Sequence, residues 1–361
     1  MTDSPKLSFF PLWSLCIPLL AWLLLGAHAA FSFHGLVLVL LLLALGGAVF
    51  AAVHYAEVIA HKVGEPFGTL VLAVAVTIIE VAMIVSILLT KGNQNQTVAR
   101  DTIFSVVMIV CAGLVGLCIT VGAWKHHVQG FNIKGATGAL SAITTLVTLT
   151  MVLPVFTSLP EDAFRPIQLI FVGLASLALY AVFVLVQTVR HRDYFVSESD
   201  SEAPQHAMPS RNQTYLALAL LLVCLAAVVL LAKSLSPTVE QLVALAGMPK
   251  PVVGLVIAGF VLLPEGMAAI RAAQQNQLQT SINLAYGSVI ASIGLTIPVV
   301  ALISVYLGQK LILGLDAKDI VLLTLTLLLN MFTIQTGRTT ILQGAILLIV
   351  FASFLVFSIT P

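Results

Sequence analysis

The chain has 361 residues, of which 60% are apolar and only 9% are Asp, Glu, Lys or Arg. Soluble domains carry roughly 25% charged residues, so this composition excludes an ordinary soluble fold. The formal net charge of +1, from 16 basic and 15 acidic residues, leaves no strongly basic surface for nucleic acid. The four cysteines lie inside apolar runs without paired spacing, so we expect neither disulfides nor a zinc site.

Apolar segments long enough to cross a membrane follow one another along the chain. A transmembrane helix needs about 20 apolar residues, and eleven runs of this kind are separated by polar residues, glycine or proline. They cover residues 9–27, 34–56, 66–90, 102–124, 136–158, 166–189, 215–233, 250–270, 282–307, 317–335 and 340–360. The sequence therefore predicts an all-α polytopic membrane protein with about eleven transmembrane helices.

The first apolar segment imitates a secretory signal, because Lys6 precedes it and the small-residue sequence Ala27-His28-Ala29 follows it. The apolar region of a signal peptide is roughly 7 to 15 residues long, whereas this run extends from Phe9 to Gly26. We therefore expect residues 1–33 to form a retained N-terminal transmembrane helix.

One long hydrophilic stretch, from Arg190 to Arg211, interrupts the apolar segments and contains Glu198, Asp200 and Glu202. It lacks an apolar period that would pack, so residues 190–214 are predicted to form a flexible acidic linker, with a cation-sensing or regulatory loop as the alternative. Nine basic residues fall on the side of the N-terminus and this linker, and seven fall on the other side. The positive-inside rule then favours a cytoplasmic N-terminus and linker, although the bias is small.

The linker divides the apolar segments into six before it and five after it, so each half has five once the first helix is set aside. An odd number of spans per half places the two halves in opposite orientations, as in the inverted repeats of secondary transporters. The stretches Gly68–Glu80 and Gly254–Glu265 each consist of a glycine, an apolar run and one carboxylate. We therefore predict two inverted five-helix repeats, at residues 34–189 and 215–361.

Most of the fifteen acidic residues fall in loops or at the ends of spans, whereas Glu80 has apolar sequence on both sides and Glu265 ends a comparably apolar run. An acidic side chain at the middle of a transmembrane helix costs about 2.5 to 3.5 kcal/mol, and such residues commonly mark an ion or proton path. The alternative is a carboxylate that a neighbouring base neutralises for helix packing. No Lys or Arg lies at helical spacing beside Glu80, and Arg271 follows Glu265 by six residues. We therefore interpret both glutamates as cation or proton ligands.

Pro264 and Gly266 flank Glu265, so the helix is expected to break there and to free backbone carbonyl groups that bind cations. Thr77 lies one helical turn before Glu80 and supplies a hydroxyl group. A threonine in this position also bonds commonly to its own helix.

The segment after each glutamate carries small polar residues. Ser288, Ser292 and Thr296 recur every four residues and therefore share one helix face, and Ser105 is the counterpart in the first half. These residues have two possible roles, which are polar packing between helices and the lining of a hydrated ion path. Polar residues of the tenth segment, among them Asn330, are further candidates.

His54, Glu57 and His61 are spaced at i, i+3 and i+7 and so lie on one face of a helix. The spacing resembles a metal site. A histidine and carboxylate pair near a membrane interface is more often hydrogen-bonded structure or a proton relay, which is the interpretation that we favour.

Several sequence stretches around these residues carry a resemblance to a known family. They are Gly64–Leu72 with Glu80, Pro264–Gly266 with Asn283 and Gly287–Ala291, and Thr336–Thr339. Together with His54–His61 and the acidic linker, they resemble the proton-coupled branch of the calcium/cation antiporter superfamily. The resemblance covers nearly the whole chain in order.

This resemblance implies a bacterial cytoplasmic membrane protein that exchanges Ca2+, Na+ or K+ for H+, without a cofactor. It also implies that Glu80 and Glu265 bind cation or protons in turn, with Asn283 among the supporting residues. Many calcium/proton exchangers have a Gly-Asn-x-x-Glu pattern, whereas Val76–Ile79 precede Glu80 here, so the preferred cation stays open. The alternatives are a passive cation channel and a membrane-embedded metal-dependent hydrolase. The chain lacks H-E-x-x-H and G-x-S-x-G, and we expect no enzyme activity.

Overall fold

A computed structural model describes residues 10–31, 36–63, 67–91, 96–157, 163–195, 209–249 and 251–360, and helices occupy most of these ranges. The helices are α1 Leu12–Phe31, α2 Leu36–Val63, α3 Phe67–Lys91, α4 Val98–His126, α5 Ile133–Thr157, α6 Pro166–Arg190, α7 Arg211–Leu245, α8 Pro251–Gln274, α9 Leu278–Leu307, α10 Ala317–Gln335 and α11 Ile341–Ile359. Two short strands, β1 Gln129–Gly130 and β2 Arg338–Thr339, pair antiparallel.

Three of these helices contain a π-helical turn. The turns are Ile109–Leu114 in α4, Thr148–Val152 in α5 and Val186–Arg190 in α6. Such turns are rare and occur frequently at functional sites, and the turn in α4 lies among buried residues.

The predicted all-α polytopic fold is confirmed. In the described ranges nine helices are long and apolar enough to cross a membrane, and the apolar segments Leu12–His28 and Ala73–Val85 are shorter. Each of the eleven predicted segments overlaps one helix, because the thickness of the bilayer sets a minimum length for the apolar run.

Two expectations about the course of the helices are wrong. Helix α7 continues well beyond the predicted end at residue 233, because Val243 in its last turns is buried against Val252 and Val253. Helix α8 runs without interruption through Pro264, where a break was expected. Proline removes one backbone hydrogen bond, and neighbouring helices keep such a helix intact in a membrane protein.

The chain separates into two compact units. The first comprises Met1–Ile79 and Pro204–Thr238, and in it Tyr55 of α2 donates a hydrogen bond of 2.6 Å to the carbonyl of Ser14 in α1. The second comprises Glu80–Ala203 and Val239–Pro361. The predicted division into residues 1–33, 34–189, 190–214 and 215–361 follows the sequence repeat and remains a prediction.

Helix α9 holds the second unit together, because it packs against α4, α5, α6 and α8. Helix α4 packs in turn against α8 and α11, and glycines allow a close approach there. A Cβ atom on Gly344 of α11 would lie 2.3 Å from the hydroxyl oxygen and 2.7 Å from the backbone nitrogen of Thr120 in α4. Small residues at transmembrane helix contacts permit such backbone proximity.

Contacts between helix ends show that successive helices of the second unit alternate in direction. At one end, Gln129 after α4 donates to the carbonyl of Ala273 in α8 at 2.9 Å, and β1 pairs with β2. The carbonyl of Tyr194, which belongs to the predicted linker, lies at this same end, 3.4 Å from the side-chain nitrogen of Gln279. At the other end, Arg100 donates to the carbonyl of Gly314 at 2.8 Å.

We predict that Gly344→Ala lowers the thermal unfolding temperature of the detergent-purified protein. The new methyl group meets the backbone of Thr120, and overpacking of this kind costs typically about 1 to 3 kcal/mol. Gly138→Ala in α5 is the matched control, since a Cβ atom there meets no atom within 4 Å. Equal unfolding temperatures for the two variants would contradict the proposed closeness of α4 and α11.

Candidate functional site

Glu80 of α3 and Glu265 of α8 are buried inside the second unit, with exposed fractions of 1% and 5%. Each carboxylate accepts a hydrogen bond from a serine of α9. Ser288 donates to Oε2 of Glu265, and Ser292 donates to Oε2 of Glu80. Two of the polar side chains predicted to share a helix face therefore meet the two predicted glutamates.

The spacing of the two serines sets the geometry of this site. Four residues of α-helix rise by about 6 Å, so one turn of α9 presents both hydroxyl groups toward carboxylates from two other helices. The two carboxylates therefore contact donors that lie one turn apart on the same helix face. We call Glu80, Glu265, Ser288 and Ser292 the carboxylate pair site.

Within the described ranges neither glutamate of this site has a salt-bridge partner. Oε1 of Glu80 is buried and has no hydrogen-bond partner there. The hydroxyl of Thr296, one turn beyond Ser292, is likewise buried without a partner among the described residues. A buried ionised carboxylate oxygen is costly unless it is paired, so Oε1 of Glu80 is suited to accept a proton or a metal cation, and the neutral hydroxyl of Thr296 offers a further oxygen nearby.

Close packing of α8 on α4 places Glu265 near the π-helical turn Ile109–Leu114. A Cβ atom on Gly254 would lie 2.9 Å from the backbone of Asp101, and a Cβ atom on Gly266 would lie 3.6 Å from Leu114. Glu265, directly before Gly266, is therefore held at the level of the π-helical turn.

The other predicted supporting residues bond elsewhere. Thr77 donates to the carbonyl of Ala73 at 2.8 Å, and Ser105 donates to that of Asp101 at 2.7 Å, each within its own helix. Asn283 donates to the carbonyl of Phe195. The structure therefore gives them no hydrogen bond to the glutamates, and their role as supporting ligands stays a prediction.

His54, Glu57 and His61 lie on α2 in the first unit. The ring of His54 lies 5.2 Å from that of Trp13, whereas Glu57 and His61 are exposed. In the described part of the chain no group of three or more His, Cys, Asp or Glu side chains could hold a metal ion. The proton-relay interpretation of these residues stays a prediction.

Sequence reasoning missed one contact near the carboxylate pair site. Tyr286 donates a hydrogen bond of 2.7 Å to the side chain of Asn330 in α10, and both residues are buried. A tyrosine in an apolar run is most simply interpreted as an ordinary core residue, so Tyr286 gave no functional signal. The amide of Asn330 in the middle of a transmembrane segment is the only signal that the sequence offers for this contact.

Comparisons with known proteins agree with the motifs. The family described as "Sodium/calcium exchanger protein" matches residues 33–189 and 216–360. The protein y4hA of Sinorhizobium fredii (strain NBRC 101917 / NGR234) is 48% identical over 355 residues, which are 97% of each chain. The sodium-potassium/proton antiporter ChaA of Escherichia coli (strain K12) is 37% identical over 349 residues, or 95% of this chain and 94% of ChaA.

A solved structure shows the same fold. The crystal structure of the H+/Ca2+ exchanger CAX superposes with a TM-score of 0.70 at 16% sequence identity. The match covers 96% of this chain and 88% of CAX.

Proposed function

The chain belongs to the sodium/calcium exchanger family, as its motifs predicted, and we propose that it is a secondary antiporter that exchanges a metal cation for protons. The carboxylate pair site carries this proposal, because it combines two buried acids with hydroxyl donors and has no basic partner in the described ranges. The names of the Escherichia coli relative and of CAX support Na+, K+ or Ca2+ as the cation.

Exchange follows from competition at Glu80 and Glu265. A protonated carboxyl group is a poor cation ligand, whereas the ionised pair attracts cations, so protons and metal displace one another. Two carboxylates are neutralised by one divalent cation, by one monovalent cation with one proton, or by two protons. Coupling by alternating access requires that the neutralised site changes its exposure readily, while the empty and doubly charged site does so rarely.

The donor set suits a hard cation. Ca2+ takes six to eight oxygen ligands, and the carboxylate pair site supplies carboxylate and hydroxyl oxygens, with Thr296 one turn away. Pro264 leaves the carbonyl of Phe260 without its helical amide partner, which adds one more candidate oxygen. Water would complete the shell of a divalent ion, and a monovalent ion needs less negative charge.

The proposed architecture consists of two inverted five-helix repeats in a bacterial cytoplasmic membrane. The family matches two separate segments, residues 33–189 and 216–360, which nearly coincide with the predicted repeats. We place the N-terminus and the acidic linker in the cytoplasm from the bias of basic residues. The lipid bilayer and inorganic cations are the proposed partners.

We predict that Glu80→Gln and Glu265→Gln each reduce proton-driven cation exchange to the level of protein-free vesicles. The amide keeps the side-chain volume and removes the titratable charge. The measurement uses purified protein in vesicles with an imposed pH gradient, tested separately with Ca2+, Na+ and K+. Accumulation of a cation against its gradient also separates an antiporter from a passive channel, which cannot perform it.

Asp193→Asn is the matched control for these substitutions. Its carboxylate is exposed, and water with salt screens such a charge over about 8 Å at physiological ionic strength. Exchange should therefore stay near the unmodified level. Near-normal exchange by either glutamine variant would remove that glutamate from the proposed mechanism.

The pH dependence of cation affinity should have a definite sign. Raising the pH ionises Glu80 and Glu265 and restores the negative site, so the apparent Michaelis constant should fall, by up to about tenfold per pH unit for each competing proton. Aspartate at either position should weaken binding and keep this dependence. Michaelis constants that stay flat with pH for every transported cation would rule out a shared site.

The topology prediction places residue 199 in the cytoplasm and residue 358 near the external surface. Single cysteines at these two serines, in a variant whose four native cysteines are replaced, would be labelled in intact cells with a membrane-impermeant maleimide. Labelling at position 358 alone agrees with the prediction, and labelling at position 199 alone inverts it. A permeant maleimide should label both positions.

A further inference from the structure

The side chain of Asn330 joins three helices through a buried polar network. Its amide nitrogen donates to the carbonyl of Cys111 in α4 at 2.9 Å and to that of Thr326 in its own helix at 2.8 Å. Its amide oxygen accepts from the hydroxyl of Tyr286 in α9 at 2.7 Å. Asn330 is 0% exposed and Tyr286 is 1% exposed, so water does not substitute for these bonds.

This network contacts the two elements that lie beside Glu265, namely the π-helical turn of α4 and helix α9. Cys111 belongs to the π-helical turn Ile109–Leu114, whose last residue lies beside Gly266. On the other side, Tyr286 precedes by two residues the serine that donates to Glu265. One amide therefore connects the segment behind Glu265 with the helix that supplies its hydrogen-bond donor.

The chemistry of asparagine matches this position. A primary amide has two N–H donors and one carbonyl acceptor, and all three functions are used. Aspartate would lose both donors and add a charge, and alanine would leave Tyr286 and the carbonyl of Cys111 without this partner. A buried polar group without a partner is costly, so the network gives α4 and α9 one preferred alignment.

We propose that Asn330 and Tyr286 are positioning residues that set the distance between Glu265 and Ser288 for cation binding. This inference rests on the proposed antiport function. A metal cation needs several oxygens at fixed distances at once, whereas a proton needs only one carboxylate oxygen. Loosening the network therefore weakens the binding of the cation more than the binding of the proton.

A positioning role predicts changes in the Michaelis constant and in the pH profile that a general packing defect would not produce. In vesicles, Tyr286→Phe should raise the apparent Michaelis constant for the transported cation about fivefold, as expected for the loss of one hydrogen bond. Asn330→Ala should raise it roughly tenfold or more, as for residues that orient metal ligands. Both variants should move the pH profile of exchange to more alkaline values, while the maximal rate at saturating cation changes much less.

The two residues should also act as one unit. The double variant Tyr286→Phe with Asn330→Ala should bind the cation no more weakly than Asn330→Ala alone, since the first substitution then has no bond left to remove. Tyr180→Phe is the matched control, because its ring is buried in α6 and packs on Gly294 of the same helix α9. This control should leave both the Michaelis constant and the pH profile unchanged.

The outcomes separate this inference from the proposed function. If the unmodified protein exchanges cations for protons but Tyr286→Phe keeps its Michaelis constant and pH profile, the positioning role is overturned. A shift of equal size in Tyr180→Phe overturns it as well, because the effect is then one of packing. If the unmodified protein shows no proton-driven exchange, the proposed function itself fails. Tyr286→Phe keeps the volume of the ring and decides the matter should Asn330→Ala not fold.

Discussion

The burial of two carboxylates, each with one hydroxyl donor among the described residues, is the constraint on which the rest of the structure depends. Glu80 and Glu265 lie almost fully inside the helices, and no salt bridge compensates them in the described ranges. A hydroxyl group satisfies part of the hydrogen-bonding capacity of a carboxylate and none of its charge. In the proposed function, the remaining compensation comes from the transported cation or from protons, which would explain why two acids are buried here without a basic partner.

Close packing of the surrounding helices keeps the two carboxylates buried. Glycines bring the backbones of α4, α8 and α11 close together, so the segments beside Glu265 have little room to relax. Helix α9 packs against α4, α5, α6 and α8, and it carries both serine donors on a single face. Hydrogen bonds at the helix ends, such as that from Gln129 to the carbonyl of Ala273, join the ends of these helices.

Much of this arrangement could be predicted from the sequence, because the bilayer makes its signals strong. The length of an apolar run indicates a span, and the cost of an acidic residue within it singles out Glu80 and Glu265. A four-residue period was enough to group Ser288 with Ser292. The continuity of α8 through Pro264 and the contact of Tyr286 with Asn330 could not be predicted. Both depend on packing between helices that are distant in the sequence, and no local pattern encodes such packing.

The presence of both serines on one helix has a consequence for the proposed exchange. Helix α9 is a single unbroken segment from Leu278 to Leu307, so a sliding or rotation of this helix displaces the two hydroxyl groups together. Hydrogen bonds weaken steeply once their geometry is lost, and the two glutamates would then lose their donors in the same movement. In the proposed exchange mechanism, a movement of this one helix would therefore break both serine contacts in a single event rather than one after the other.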